Sequence, residues 1–121
     1  MNEKFINIMV KILSEPEFIS DIFRSANEYY FRYGGHAFSV LRRTDDNEFG
    51  RYSIYVYPKW KGTLEDLAVA SSVESEDFPM AAYHQSQFKG ADAYDYFAAV
   101  YQLMENRQLG LDDVFDDILR R

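Results

Sequence analysis

The chain has no cysteine, which excludes disulfides, thiolate metal sites and cysteine nucleophiles. Small domains in oxidising compartments commonly carry bridges, so their absence points to a reducing cytoplasm. No apolar run approaches the ~18 residues of a membrane span, and no membrane partner is expected. The apolar stretch after Met1-Asn2-Glu3-Lys4 is broken by Asn7 and Lys11 and has no small-residue cleavage site, unlike a signal peptide. Neither G-x-G-x-x-G nor GK[ST] occurs, so phosphate-loop and dinucleotide chemistry find no support. Nor do the acidic residues form an Asp-x-Asp-x-Asp-Gly calcium loop. No catalytic residue, metal or cofactor is therefore expected.

What the chain does have is aromatic residues and unevenly placed charge. The 121 residues hold ten Tyr and ten Phe beside one Trp. Tyr joins an apolar body to a polar tip, which suits a surface that is part core and part contact site. Length fits one domain, 1–121, large enough to bury a core without staples. Residues 1–62 carry eight acids and nine bases, a net of +1, whereas residues 63–121 carry twelve acids and four bases, a net of −8. The overall −7 is thus concentrated in the second half. Such asymmetry governs partners and association rate rather than fold.

Periodicity predicts an α+β fold in the order α-α-β-β-α-(β)-α-α: a small antiparallel sheet, a β-hairpin with room for a third strand, packed against about five helices. Helix 3–13 is apolar on more than one stripe, so it is buried on two sides or packs against something outside the domain. Ser14 and Glu17 have capping-box spacing, and Phe18, Ile19, Ile22, Phe23, Ala26, Tyr29 and Tyr30 recur with helical period over 16–31, with Gly34-Gly35 as the stop. His36–Arg43 and Arg51–Pro58 alternate as two strands of a hairpin, with Phe38, Val40, Ile54 and Val56 on one face. Thr63 caps a short helix through Ser71, residues 72–79 read as a loop, and 80–88 is a weak third strand. Ala93–Gln108 is a helix opened by Asp92 and Asp95, and a last helix, 112–120, turns Val114, Phe115, Ile118 and Leu119 inward.

Three sets of residues are candidates for function. In the last helix, Asp112/Asp116 and Asp113/Asp117 are i,i+4 pairs, forming two carboxylate rows about 6 Å in spacing. With Asp92, Asp95 and Glu105 they are expected to engage Lys and Arg of a partner. In the hairpin, Arg42 and Arg43 sit among Tyr55, Tyr57 and Trp60. That mixture suits base stacking or a protein hot spot, and the net negative charge makes direct nucleic-acid binding the weaker choice. His36 and His84 have no ligand spacing, and strand alternation turns His36 away from Ser39. Neither Ser39 nor Ser53 lies in a G-x-S-x-G elbow.

The favoured expectation is a non-catalytic, cytoplasmic protein-binding module. It would act as an acidic stoichiometric inhibitor that occludes a basic, nucleic-acid-binding surface of a nuclease or similar protein, as phage-type anti-CRISPR or anti-restriction inhibitors do. The first alternative is a homo-oligomeric structural or regulatory domain, dimeric through helix 3–13. A further alternative is a small enzyme using His36 with the hairpin tyrosines.

Overall fold

The computed structural model describes residues 2–45, 47–72 and 79–121. It begins with helix α1 (Glu3–Ser14), which buries Phe5, Met9 and Ile12 on a single stripe and leaves Ile8 and Val10 exposed. Ser14 does not open a second helix. Its hydroxyl donates back to the Val10 carbonyl at 2.8 Å, closing α1.

The segment from Pro16 to Tyr33 departs from expectation. After one 3-10 turn (Pro16–Phe18) it forms two strands, β1 (Ile19–Ser25) and β2 (Glu28–Tyr33), joined by Ala26-Asn27. The same apolar residues that fit a helical stripe also alternate as strands once the chain reverses at 26–27. Aromatic and β-branched side chains (Ile19, Ile22, Phe23, Tyr29, Tyr30, Phe31) then favour the pleated form. Gly34 and Gly35, at φ 56° and 83°, are the two-residue hairpin turn into the next strand, not a helix stop.

The hairpin expected at 36–58 is present as β3 (His36–Arg42) and β4 (Tyr52–Tyr57), with Phe38 opposite Val56 and Val40 opposite Ile54. Helix α2 (Leu64–Ser71) follows, capped by the Thr63 hydroxyl accepting from Asp66 N–H at 3.0 Å. The expected loop at 72–79 lies almost wholly outside the described residues. The third strand forms in its first half only, as β5 (Ala81–His84), before a 3-10 turn at Gln85–Phe88. The sheet is therefore a five-stranded antiparallel meander, β1-β2-β3-β4-β5. The described residues contain four α-helices rather than about five, ending with α3 (Ala93–Leu109) and α4 (Leu111–Leu119).

The two sheet faces are covered unequally. On one, α1 and α3 pack over Tyr29, Phe31, Phe38, Val40 and Ile54 to make the larger core. The other face carries α2, whose Leu64, Leu67 and Ala68 pack on Tyr30, Ala37 and Tyr57. The rings of α1 and α3 interlock with the sheet: Phe5 stacks on Tyr83 at 3.9 Å, and Tyr101 meets Tyr29 edge-on at 5.1 Å. Among the described residues no helix is long and apolar enough to cross a membrane.

Ala26 is the one described non-glycine residue with positive φ, at 54°. A left-handed backbone costs an L-residue about 1–2 kcal/mol, partly offset here by the lower unfolded-state entropy of Ala relative to Gly. Ala26→Gly is therefore expected to stabilise the fold by about 0.5 kcal/mol, measured by urea unfolding, without changing the slope of the transition.

Candidate functional site

Helix α4 is an amphipathic segment with no core beneath it. It begins immediately after Gly110, whose φ of 68° ends α3 in the left-handed region and redirects the chain. Its apolar residues fall at Leu111, Val114, Phe115, Ile118 and Leu119, the spacing of one helical stripe. Contrary to expectation, that stripe does not face inward. Phe115 is 54 % exposed, Ile118 59 % and Leu119 82 %, and no residue of α4 is buried. The reason is topological. Three helices already cover both faces of the sheet, and α4 follows α3 through a single residue, with its main contacts to the helix it leaves.

All four tail aspartates are exposed on α4. Asp112 and Asp113 occupy its first turn, where the helix dipole favours them. Asp117 is held from within the helix by Arg121 at 3.1 Å and Arg120 at 4.0 Å. The remaining predicted acids do not join this patch. Asp92 and Asp95 are exposed at the start of α3, whose 17 residues span about 25 Å before α4 begins. Glu105 lies between, accepting from Gln102 Nε2 at 3.1 Å. Among the described residues, the predicted acids therefore form two separate clusters rather than one continuous surface.

The hairpin residues are largely engaged in packing. Tyr57 is buried on the α2 face, and Tyr55 is half-buried on the same face. Trp60 packs against the α2 cluster and donates its indole N–H to the Thr63 carbonyl at 2.9 Å. The Arg42 guanidinium lies 4.8 Å over the Tyr101 ring, and that of Arg43 lies 5.5 Å over Phe49. His36 starts β3 on the α1 face, whereas Tyr55 and Tyr57 point to the opposite face, so the sheet separates the histidine from those tyrosines.

The α2 face also holds a polar chain with no sequence motif to signal it. Ser39 Oγ donates to Glu28 Oε2 at 2.6 Å, and Tyr57 Oη lies 2.9 Å from the same hydroxyl. Tyr30 Oη donates to Glu28 Oε1 at 3.1 Å and sits 2.6 Å from Ser71 Oγ, tying the end of α2 to the sheet. Burial holds the Glu28 carboxyl above the ordinary range, offset in part by Ser39, Tyr30 and the charge of Arg43. Nearby, Ser53 Oγ lies 2.6 Å from His84 Nδ1, linking β4 to β5, and His84 stacks on Phe49 at 4.3 Å. Burial first, and then Arg43, push the His84 pKa down. Strand register could have revealed this pair, had β5 been placed beside β4.

Ser39 and Ser53 are both fully buried, at 0 % exposure, so neither hydroxyl is open to a substrate. Their hydrogen bonds serve to satisfy polar groups inside the sheet. Among the described residues no three His, Asp or Glu side chains converge as a metal-binding group. No protein-family model, curated protein or solved structure matches the chain.

A raised carboxyl pKa means that folding favours the protonated form, so this group's contribution is greatest at low pH and is lost as pH rises through the folded pKa. Glu28→Gln keeps one acceptor oxygen for Ser39 or Tyr30, and its NH2 can donate to the other hydroxyl, without the charge. The variant is expected to melt above the native chain at pH 7, and the gap should close near pH 4. Thermal melts across that range provide the check, and a gap unchanged by pH would contradict the assignment.

Proposed function

We propose that the chain is a non-catalytic protein-binding module that presents α4 to a partner protein and occludes a basic surface there. The best-fitting form of this activity is stoichiometric inhibition of a nuclease or other nucleic-acid-binding protein, of the phage-type anti-CRISPR or anti-restriction kind. One observation carries the reading: α4 exposes Val114, Phe115, Ile118 and Leu119 on the face opposite its adjacent rows of aspartate. A nine-residue helix is marginal in water by itself, and like charges one turn apart weaken it further. A partner groove supplies what the domain does not.

The two kinds of side chain divide the work. The apolar stripe provides desolvated contact area and hence slow dissociation, in the manner of a helix laid in a groove. Asp112, Asp113 and Asp116 steer association toward positive surfaces and oppose acidic ones. A pure imitation of nucleic-acid charge would not need the apolar stripe. The partner surface is accordingly an apolar groove bordered by Lys and Arg.

The test uses quantitative capture from host lysate by the native chain, by Phe115→Asp/Ile118→Asp, and by a variant with all four tail aspartates changed to Lys. A specific target should be basic, should lose at least about 30-fold in affinity with the first variant, and should lose its salt dependence with the second. The purified target should also lose nucleic-acid binding when the native chain is added. Capture unaffected by either variant would overturn the reading.

A further inference from the structure

The hydroxyls that tie α2 to the sheet carry too few protons for the contacts they make. Beyond Oε1 of Glu28, three contacts follow one another. Glu28 Oε1 lies 3.1 Å from Tyr30 Oη, Tyr30 Oη lies 2.6 Å from Ser71 Oγ, and Ser71 Oγ lies 3.1 Å from the Ala68 carbonyl. Tyr30 and Ser71 bring one hydroxyl proton each. The Ala68 carbonyl only accepts, so Ser71 must donate to it and Tyr30 must donate to Ser71. The contact between Tyr30 and Glu28 is then left for a proton on the carboxyl itself. No such shortage exists at Oε2, where Ser39 donates at 2.6 Å and Tyr57, 2.9 Å from Ser39, can donate in turn.

We propose that Glu28 as the neutral acid is the proton-donating link of this chain, and that its ionisation loosens the C-terminal end of α2. With the proton in place, one directional run of hydrogen bonds passes from Ser39 through Glu28, Tyr30 and Ser71 to a carbonyl in the last turn of α2. Once Glu28 is ionised, Tyr30 can donate to the carboxylate, but two protons then serve three contacts and one contact fails. Leaving the carboxylate with Ser39 alone abandons a buried charge, the costliest choice. Either of the other two losses falls on α2. Ser71 turns from Ala68 and the last turn opens, or Tyr30 releases Ser71 and the helix end parts from the sheet.

The surroundings favour the neutral form. Arg43 is the cation nearest in effect, yet among the described residues it makes no ion pair with Glu28, and its guanidinium donates to the Gly50 carbonyl at 3.2 Å. Tyr30 and Tyr57 keep their protons, because burial raises both phenols far above the ordinary range, and Tyr55 stands beside them. The acids of α2, Glu65 and Asp66, belong to its first turn, at the opposite end from Ser71. On β1, Arg24 lies over Tyr29, on the other face of the sheet. Burial likewise raises the carboxyl pKa of Glu28. The chain is therefore intact below the unfolded-state pKa and is lost as pH rises through the folded one.

The test follows the Glu28 side-chain carboxyl by NMR across pH, together with amide hydrogen-exchange protection at Ala70, Ser71 and Ser72, referred to Val100 in α3. Native Glu28 should titrate above the exposed glutamates, and protection at the end of α2 should fall roughly 3- to 10-fold over the same interval, the worth of one hydrogen bond. In Glu28→Gln the amide NH2 replaces the acid O–H as donor to Tyr30, so protection should stay high and flat. Ser71→Ala, at an exposed position, should show low protection at every pH while Glu28 still titrates. An ordinary glutamate titration, α2 protection that ignores it, or a native pH profile in Ser71→Ala would each overturn the proposal.

Discussion

Two helices lying side by side across one face of a five-stranded sheet hold the molecule together, and they do so through aromatic rings. Phe5 of α1 meets Tyr83, Phe88 and Phe97 within about 6 Å, and Tyr101 of α3 meets Tyr29 and Tyr52. Ten Phe and ten Tyr in one small chain are mostly accounted for by this seam and by the smaller α2 layer on the reverse. Closing both faces with three helices has a consequence for the fourth. The helix α4 projects from the end of α3 with its apolar stripe exposed.

The strands that were legible in the sequence were those with strict alternation between turn residues. His36–Arg42 and Tyr52–Tyr57 show it without ambiguity, and their core faces follow from it. The segment from Phe18 to Tyr30 was misread because a period of 3.6 and a reversal of two strands place nearly the same residues together. The turn at Ala26-Asn27 has no glycine to announce it. Gly34-Gly35 did announce a hairpin but also suits a helix end. For β5, weak propensity hid a strand that register with β4 makes clear, and with it the Ser53–His84 bond.

The candidate site was legible in charge but not in placement. Asp112, Asp113, Asp116 and Asp117 form the two rows that i,i+4 spacing dictates, yet periodicity alone cannot say whether the opposite face meets a core. It took the topology of the sheet to leave Phe115 and Ile118 outside. Conversely, Tyr57 and Arg42, which composition offered as a contact surface, are drawn inward by Ser39 and by the Tyr101 ring. The buried polar chain around Glu28 has no motif at all, since its members come from β2, β3, β4 and α2. Its physical role is to join α2 to the sheet at one register, because a buried carboxylate keeps its place only where its hydrogen bonds are met.

The central claim is that the apolar stripe of α4 is uncommitted within its own chain. Its energetic signature is the unfolding free energy of a variant in which Val114, Phe115, Ile118 and Leu119 are all replaced by Ser, measured at high dilution where association is absent. Side chains that stay about half or more exposed in the monomer should together cost less than the single core substitution Phe97→Ala, at about 3–5 kcal/mol. A loss for the four-fold variant as large as that of Phe97→Ala would mean that α4 belongs to the core, and would contradict the account.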